Sequence, residues 1–424
     1  MSTAKLAIPK SLGELKQYLG DPLYKNSFFI VLSRVSNVAC GFFFWMLAAR
    51  LYSTEDVGVA TALISSLGLV IQFSRLGFDF SLIRFFPLND RKKVFSTCLV
   101  ITTISSFGVG IIYILGISLF SPELSFLKEG KYALIFILIA VINSIAAITG
   151  STFVAKRDAN YYFIQNLFMA LRVPFLIPLT FLGCFGIFGA NGLAFLLASL
   201  FDLLLLYKST GLDLKVDKKF VRESFKFSSG NYISSMFLSV PTLVLPIMIV
   251  NLLGGSEAAK YYIAFSIGNL VLIVPDALST SLFVEGSHGE GLKKNVIKAG
   301  LAIYAFLIPA VLFLYFSGGF LLKLFGKDYV DALELLRILS LSSFLAAVYS
   351  LFAPIQNVRM KVESIIKINL ARFLLLLGLC YLFILKFGIV GVGYAWMITY
   401  MLLVIVIVYV AKKENWFKFG QMKM

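Results

Sequence analysis

The stretch FIVLSRVSNVACGFFFWMLAAR, residues 29–50, decides the fold. It is long and apolar enough to cross a membrane, yet Arg34 stands well inside it. A guanidinium in hydrocarbon costs roughly 2.5–3.5 kcal/mol on insertion scales. Arg34 therefore asks for water, a counter-charge or a ligand.

The rest of the chain repeats the pattern. Of its 424 residues 59% are hydrophobic and 14% charged, against about 45–50% and about 25% in a soluble domain. Twelve apolar segments match a hydrocarbon core of about 30 Å: 27–49, 57–80, 94–119, 132–153, 161–183 and 190–207, then 229–252, 259–282, 298–317, 334–355, 365–386 and 389–410. This predicts an all-α polytopic membrane protein with twelve transmembrane helices. Residues 1–26 read as a cytoplasmic lead-in without the apolar core of a signal peptide. Residues 27–207 form the first lobe, 208–228 a basic cytoplasmic linker, 229–410 the second lobe and 411–424 a cytoplasmic tail.

Charge sets the expected orientation. With both termini cytoplasmic, 25 Lys and Arg fall in inside loops and tails and 8 in outside loops, the asymmetry of a positive-inside protein. That asymmetry accounts for the net charge of +16 without nucleic acid. Cys40, Cys98, Cys184 and Cys380 lie within or at the edges of spans with no CxxC spacing, and His288 has no second ligand near it in sequence. No metal site, disulfide framework or cofactor is expected. The outside loops are short and no Walker A loop is present, which counts against a glycan-assembling enzyme and against ATP-driven pumping.

Linker 208–228 divides the spans evenly, and the halves begin alike. NSFFIVLSRV (26–35) and NYISSMFLSV (231–240) both open on Asn and place Val nine residues on. An even number of spans per half makes the repeat parallel, one of the arrangements found in secondary transporters.

Charges inside spans are functional candidates unless a partner accounts for them. Reflection through the turn near residue 186 puts Arg172 level with Asp202 and predicts a structural ion pair. Reflection through the turn near residue 53 puts Arg34 level with Arg75, which cannot satisfy it. Arg34 and Arg75 thus read as anion-binding residues beside a basic mouth, and Asp79, four residues after Arg75, is counted with them as a substrate-binding residue that relieves part of the repulsion. Arg372 contributes from the second half, and Asn37 and Gln72 are placed to line the same water-filled cavity. Asp276, next to Pro275, is the candidate for exchanging a coupling cation, H+ or Na+.

Residues 33–87, SRVSNVACGFFFWMLAARLYSTEDVGVATALISSLGLVIQFSRLGFDFSLIRFFP, resemble the opening helices of polysaccharide-unit flippases. Their wider group is the multidrug, oligosaccharidyl-lipid and polysaccharide exporter superfamily. LFGKDYVDALELLRILSLSS (324–343) carries the same resemblance, which extends over the whole chain in span count and loop pattern. It implies two six-helix lobes forming a V-shaped central cavity, lined by spans one, two, seven and eight. It implies a non-enzymatic flippase that moves a lipid-linked oligosaccharide, on polyprenyl phosphate or pyrophosphate, across the cytoplasmic membrane by alternating access.

The S-R-V around Arg34 is similar to the first-helix arginine motif of peptidoglycan-precursor flippases, whose arginines meet the lipid phosphate. The chain departs from that group in its twelve spans and in Cys40-Gly41, where another charged pair would stand. The expected partners are the lipid-linked oligosaccharide, membrane lipids and other glycan-assembly proteins, with the chain acting as a monomer. The competing readings are a drug or cation exporter of the same fold and a membrane-embedded glycan assembly enzyme. An excess of arginine over carboxylate in the cavity separates the flippase from the exporter.

Overall fold

The computed structural model describes residues 22–213, 215–287, 292–359, 361–414 and 416. Most of the amino-terminal lead-in, His288 and the end of the tail lie outside the described residues. The first half comprises α1 (Pro22–Leu51), α2 (Thr54–Ser74), α3 (Phe78–Phe85), α4 (Arg91–Phe120), α5 (Gly130–Lys156), α6 (Ala159–Ala170), α7 (Arg172–Phe175) and α8 (Cys184–Ser209). The second comprises α9 (Lys218–Leu253), α10 (Gly255–Asn269), α11 (Ile273–Ser287), α12 (Leu292–Phe325), α13 (Leu333–Val358), α14 (Val362–Phe387) and α15 (Val390–Lys413).

Eleven helical stretches among the described residues are long and apolar enough to cross a membrane. The twelfth expected span, 161–183, is instead broken into α6, α7 and a 3-10 turn at Thr180–Leu182. Pro174 and Pro178 each remove a backbone donor there, which weakens a continuous helix over this stretch. Linker 208–228 is likewise shorter than expected. Asp217 caps α9 by accepting from the backbone N–H groups of Lys219 and Phe220, so helix starts at Lys218.

The described ends of the chain and the described residues between α8 and α9 gather at one face, here the termini face. Glu414 at the end of α15 meets Arg359 and Lys361 at the α13–α14 turn, and Asp213 and Asp217 donate their N–H groups to Ser96 and Thr97 near the start of α4. The 51–54 and 253–255 turns lie at the far face.

The halves meet along a seam of α2 and α3 against α9 and α10. Backbones touch at its far end: a Cβ on Gly58 would stand 1.7 Å from the Gly255 carbonyl oxygen. Small residues at a helix interface allow this approach, and tight van der Waals packing holds helices together where lipid supplies no hydrophobic drive. The Glu55 carboxylate caps α10 there, accepting from the N–H groups of Gly255 (3.0 Å) and Ser256 (2.8 Å). At the termini end Ser81 donates to Ser228 Oγ at 3.1 Å, and the Tyr232 hydroxyl reaches the Gln72 and Phe73 carbonyls.

Helix α1 behaves differently from its neighbour. It packs on α6 along its length and meets the second half only towards the far face. There Arg50 Nε donates to the Leu324 carbonyl at 2.8 Å, Phe42 meets Phe325, and Trp45 lies against Tyr262 at 4.7 Å between ring centres. Nearer the termini face its Val31, Arg34, Val35 and Val38 are exposed. These contacts join the halves at the far face, whereas at the termini face α1 and α11 do not pack closely on each other, leaving a slit between them.

Candidate functional site

A cavity of about 880 Å³ lies between the halves, with most of its wall supplied by the second. Gly68, Gln72 and Arg75 of α2 form one side, Ser235 to Thr242 of α9 another. Asp276 of α11, Tyr349 of α13, Asn369 and Arg372 of α14, and Trp396 and Tyr400 of α15 complete it. Pro241 interrupts the donor ladder of α9 within this wall.

Arg75, Gln72, Arg372 and Asp276 thus face a common space. Arg75, the C-cap of α2, is held between that helix and the next: Nη1 donates to Asp79 Oδ2 of α3 at 3.3 Å and Nη2 to Gln72 Oε1 of α2. Asp79 therefore positions Arg75 and is not among the cavity-lining residues. Arg75 Nε and Asp79 Oδ1 are enclosed without hydrogen-bond partners.

Arg34 does not line the cavity beside Arg75. Equal depth does not bring the two together, because α1 leaves α2 to pack on α6. Arg34 stands instead on the rim of the slit, exposed, within electrostatic reach of Asp276 on the opposite edge. It forms no ion pair within 4 Å among the described residues.

The expected Arg172–Asp202 ion pair is not formed. Asp202 is buried and points into the first half, where Oδ2 accepts from Thr149 Oγ1 at 2.8 Å and from Gln165 Nε2. Arg172 leaves the broken segment in another direction. Its Nη2 donates to Asn37 Oδ1 at 3.3 Å, and its guanidinium lies 5.2 Å from the Phe44 ring centre. A turn fixes the depth of two residues but not their direction around the bundle axis. Asn37, expected in the cavity wall, is thereby committed to Arg172.

The sequence reading missed the surroundings of Arg372. Its Nε donates to the Tyr400 hydroxyl at 3.2 Å and Nη1 to the Leu238 carbonyl at 3.0 Å. The rings of Tyr349, Trp396 and Tyr400 surround the guanidinium at 5.9, 5.6 and 5.7 Å, a cation–π arrangement. Asn369, one turn earlier, donates to Ser234 Oγ at 3.0 Å and accepts from Tyr349. A signal existed: Asn369 with Arg372, and Trp396 with Tyr400, have the three- and four-residue spacings that place side chains on one helix face.

Two halves of spans around a central cavity are an arrangement found among secondary transporters, and comparison with solved structures gives the particular fold. The chain is similar to lipid II flippase MurJ in an inward closed conformation, at 18% identity and TM-score 0.74, covering 91% of this chain and 87% of that one. It is similar to an inward-facing multidrug resistance MATE family transporter of the MOP superfamily, at 16% identity and TM-score 0.70, covering 89% and 94%. An outward-facing transporter of that description matches at 17% identity and TM-score 0.60, covering 96% and 98%. The fold is that of the MOP superfamily. By its sequence the chain belongs to the polysaccharide biosynthesis protein family, whose model matches residues 23–283. No curated protein matches it.

Proposed function

We propose that this protein carries a lipid-linked oligosaccharide, borne on polyprenyl phosphate or pyrophosphate, across the cytoplasmic membrane by alternating access. The observation that carries the reading is the arginine-bearing cavity, whose wall reaches Asp276 of α11 opposite the exposed Arg34 of α1, while contacts between the halves close the far face. The positive-inside asymmetry assigns the termini face to the cytoplasm. The arrangement described is then read as an inward-facing one; the likeness is greater to the inward-facing transporter and the inward closed flippase than to the outward-facing transporter.

Each part of such a substrate has a chemically suited place. The polyprenyl chain remains in lipid outside the slit, and the sugars enter the cavity among Asn, Ser and Tyr side chains. The phosphate meets Arg34 on the rim and Arg75 inside, since guanidinium matches phosphate with paired donors. Asp276, facing Arg34 across the slit, is placed to couple the charge on the rim to H+ or Na+. No covalent step is needed. A cation exporter fits less well, because the most deeply buried charge in the cavity wall is Arg372.

Flipping of a fluorescent lipid-linked sugar in reconstituted vesicles tests the reading. Wild-type protein should move the probe, and the Arg34→Ala, Arg75→Ala double variant should lose most of the rate while folding normally. Unimpaired flipping by that variant overturns the phosphate assignment, and no flipping by the wild type overturns the function.

A further inference from the structure

Arg372 is a further cationic locus, and its position differs from that of Arg34 on the rim and of Arg75 on the opposite wall. It is 3% exposed, with no carboxylate within 4 Å among the described residues. A guanidinium has five N–H donors. The protein engages Nε through Tyr400 and Nη1 through Leu238. Nη2 makes no hydrogen bond to the protein and yet is not enclosed, so its donors face the cavity that Arg372 lines. A buried charge left without a counter-charge is costly, and the free edge of this one points where a ligand would sit.

The surroundings narrow the choice of anion. Phosphate in a lipid-linked sugar is bonded directly to the polyprenyl chain and stays near the slit, where α1 and α11 carry Arg34 and Asp276. Arg372 belongs to the α13–α15 wall, among Tyr349, Trp396 and Tyr400. Aromatic faces suit the C–H face of a sugar ring, while the hydroxyl of Tyr400 and the amide of Asn369 suit its polar edge. An anion carried within a sugar is most simply a carboxylate, whose two coplanar oxygens match one edge of a guanidinium.

We propose that Arg372 recognises the carboxylate of an acidic, uronate-class sugar in the oligosaccharide head. This rests on the flippase reading and adds a specificity-determining residue to it.

The test uses two short-chain polyprenyl-diphosphate disaccharides, one ending in glucuronate and the other in glucose. Trp396 reports binding in a Trp45→Phe, Trp416→Phe background, where it is the last of the chain's three tryptophans. Unmodified Arg372 should bind the glucuronate probe at least about tenfold more tightly, as a charge-assisted bidentate pair would give. Arg372→Gln should abolish the difference and leave the glucose probe unchanged, and Arg372→Lys should retain part of it. Arg34→Gln should weaken both probes alike. Equal binding of the two probes with Arg372 intact overturns the proposal without any variant having to fold. So does an Arg372→Gln variant that weakens both equally, which would place phosphate there. Binding of neither probe overturns the flippase reading together with the proposal.

Discussion

Asp202 and Arg372 invite comparison. Each is a buried charge inside a span, with no opposite charge within 4 Å among the described residues. Asp202 is enclosed by α5, α6 and α8, where two side-chain donors converge on one oxygen. Gly150 makes room for this cluster: a Cβ there would lie 2.6 Å from Gln165 Oε1. Arg372 is held as firmly on one side, but presents unused donors to a cavity on the other. A charge in a span is thus not one kind of feature. Its surroundings decide whether it organises packing or awaits a ligand.

The largest effect should follow from filling the Asp202 position with an apolar group. Asp202→Leu removes the acceptor shared by Thr149 Oγ1 and Gln165 Nε2, leaving them only the Ala146 carbonyl and each other. This costs about 0.5–1.5 kcal/mol for each lost bond and forces an apolar side chain into a polar cluster. Asp202→Asn keeps an acceptor and should lose less than half as much. Thermal unfolding in detergent, read with folded yield, checks both. Similar losses in the two variants would mean that the charge itself, not its acceptor role, matters at this position.

Arg372→Gln should show the opposite balance. Folded yield should stay within about twofold of wild type, since an amide can still reach Tyr400, while flipping of a uronate-bearing lipid-linked sugar falls about tenfold. Loss of folded protein as severe as in Asp202→Leu would erase the contrast between the two sites.

A finer measurement concerns the pair that did not form. Arg172→Ala and Asp202→Asn should be additive in unfolding free energy within about 0.5 kcal/mol, because the two side chains share no contact. A coupling well beyond this would restore the ion pair expected from their equal depth.

The smallest effect lies outside the spans, at an ordinary ion pair that serves as a reference for the two lone charges. Burial pushes the Glu414 carboxyl up, but hydrogen bonds from Lys361, Trp416 and Gln356 and the charge of Arg359 more than offset it. Its affinity for protons in the folded chain is therefore below the ordinary glutamate value of 4.5. The stabilisation is present above that pH and is lost as pH falls through the lower folded value. Trp416 donates to Glu414 at 3.0 Å, so its emission should shift only in that acid window. A shift near neutral pH would contradict this assignment.

Much of the fold was legible because membrane thickness imposes a length that residues either meet or do not. Segment 161–183 met the length but not the backbone requirement, and Pro174 and Pro178 were in plain view. Site residues were legible in depth alone. Arg75 and Arg372 could be placed within the bilayer from their distance to span ends, but direction around a helix bundle depends on which neighbour each helix chooses. Span one chose α6, which removed Arg34 from the side of Arg75 and gave Asn37 to Arg172. The aromatic wall around Arg372 required the meeting of α13, α14 and α15, residues far apart in the chain.

The α2–α9 seam works as the spine of a book. It is stitched at one end by Glu55 beneath α10 and at the other by Ser81, Tyr232 and their partners. A spine fastened at both ends lets its covers swing and resists their sliding. The pages part at the edge between α1 and α11, where Arg34 lies exposed. On the flippase reading proposed above, cargo that is half oil and half sugar is turned over with its tail left hanging outside the covers, and the book never has to open wide enough to swallow it whole.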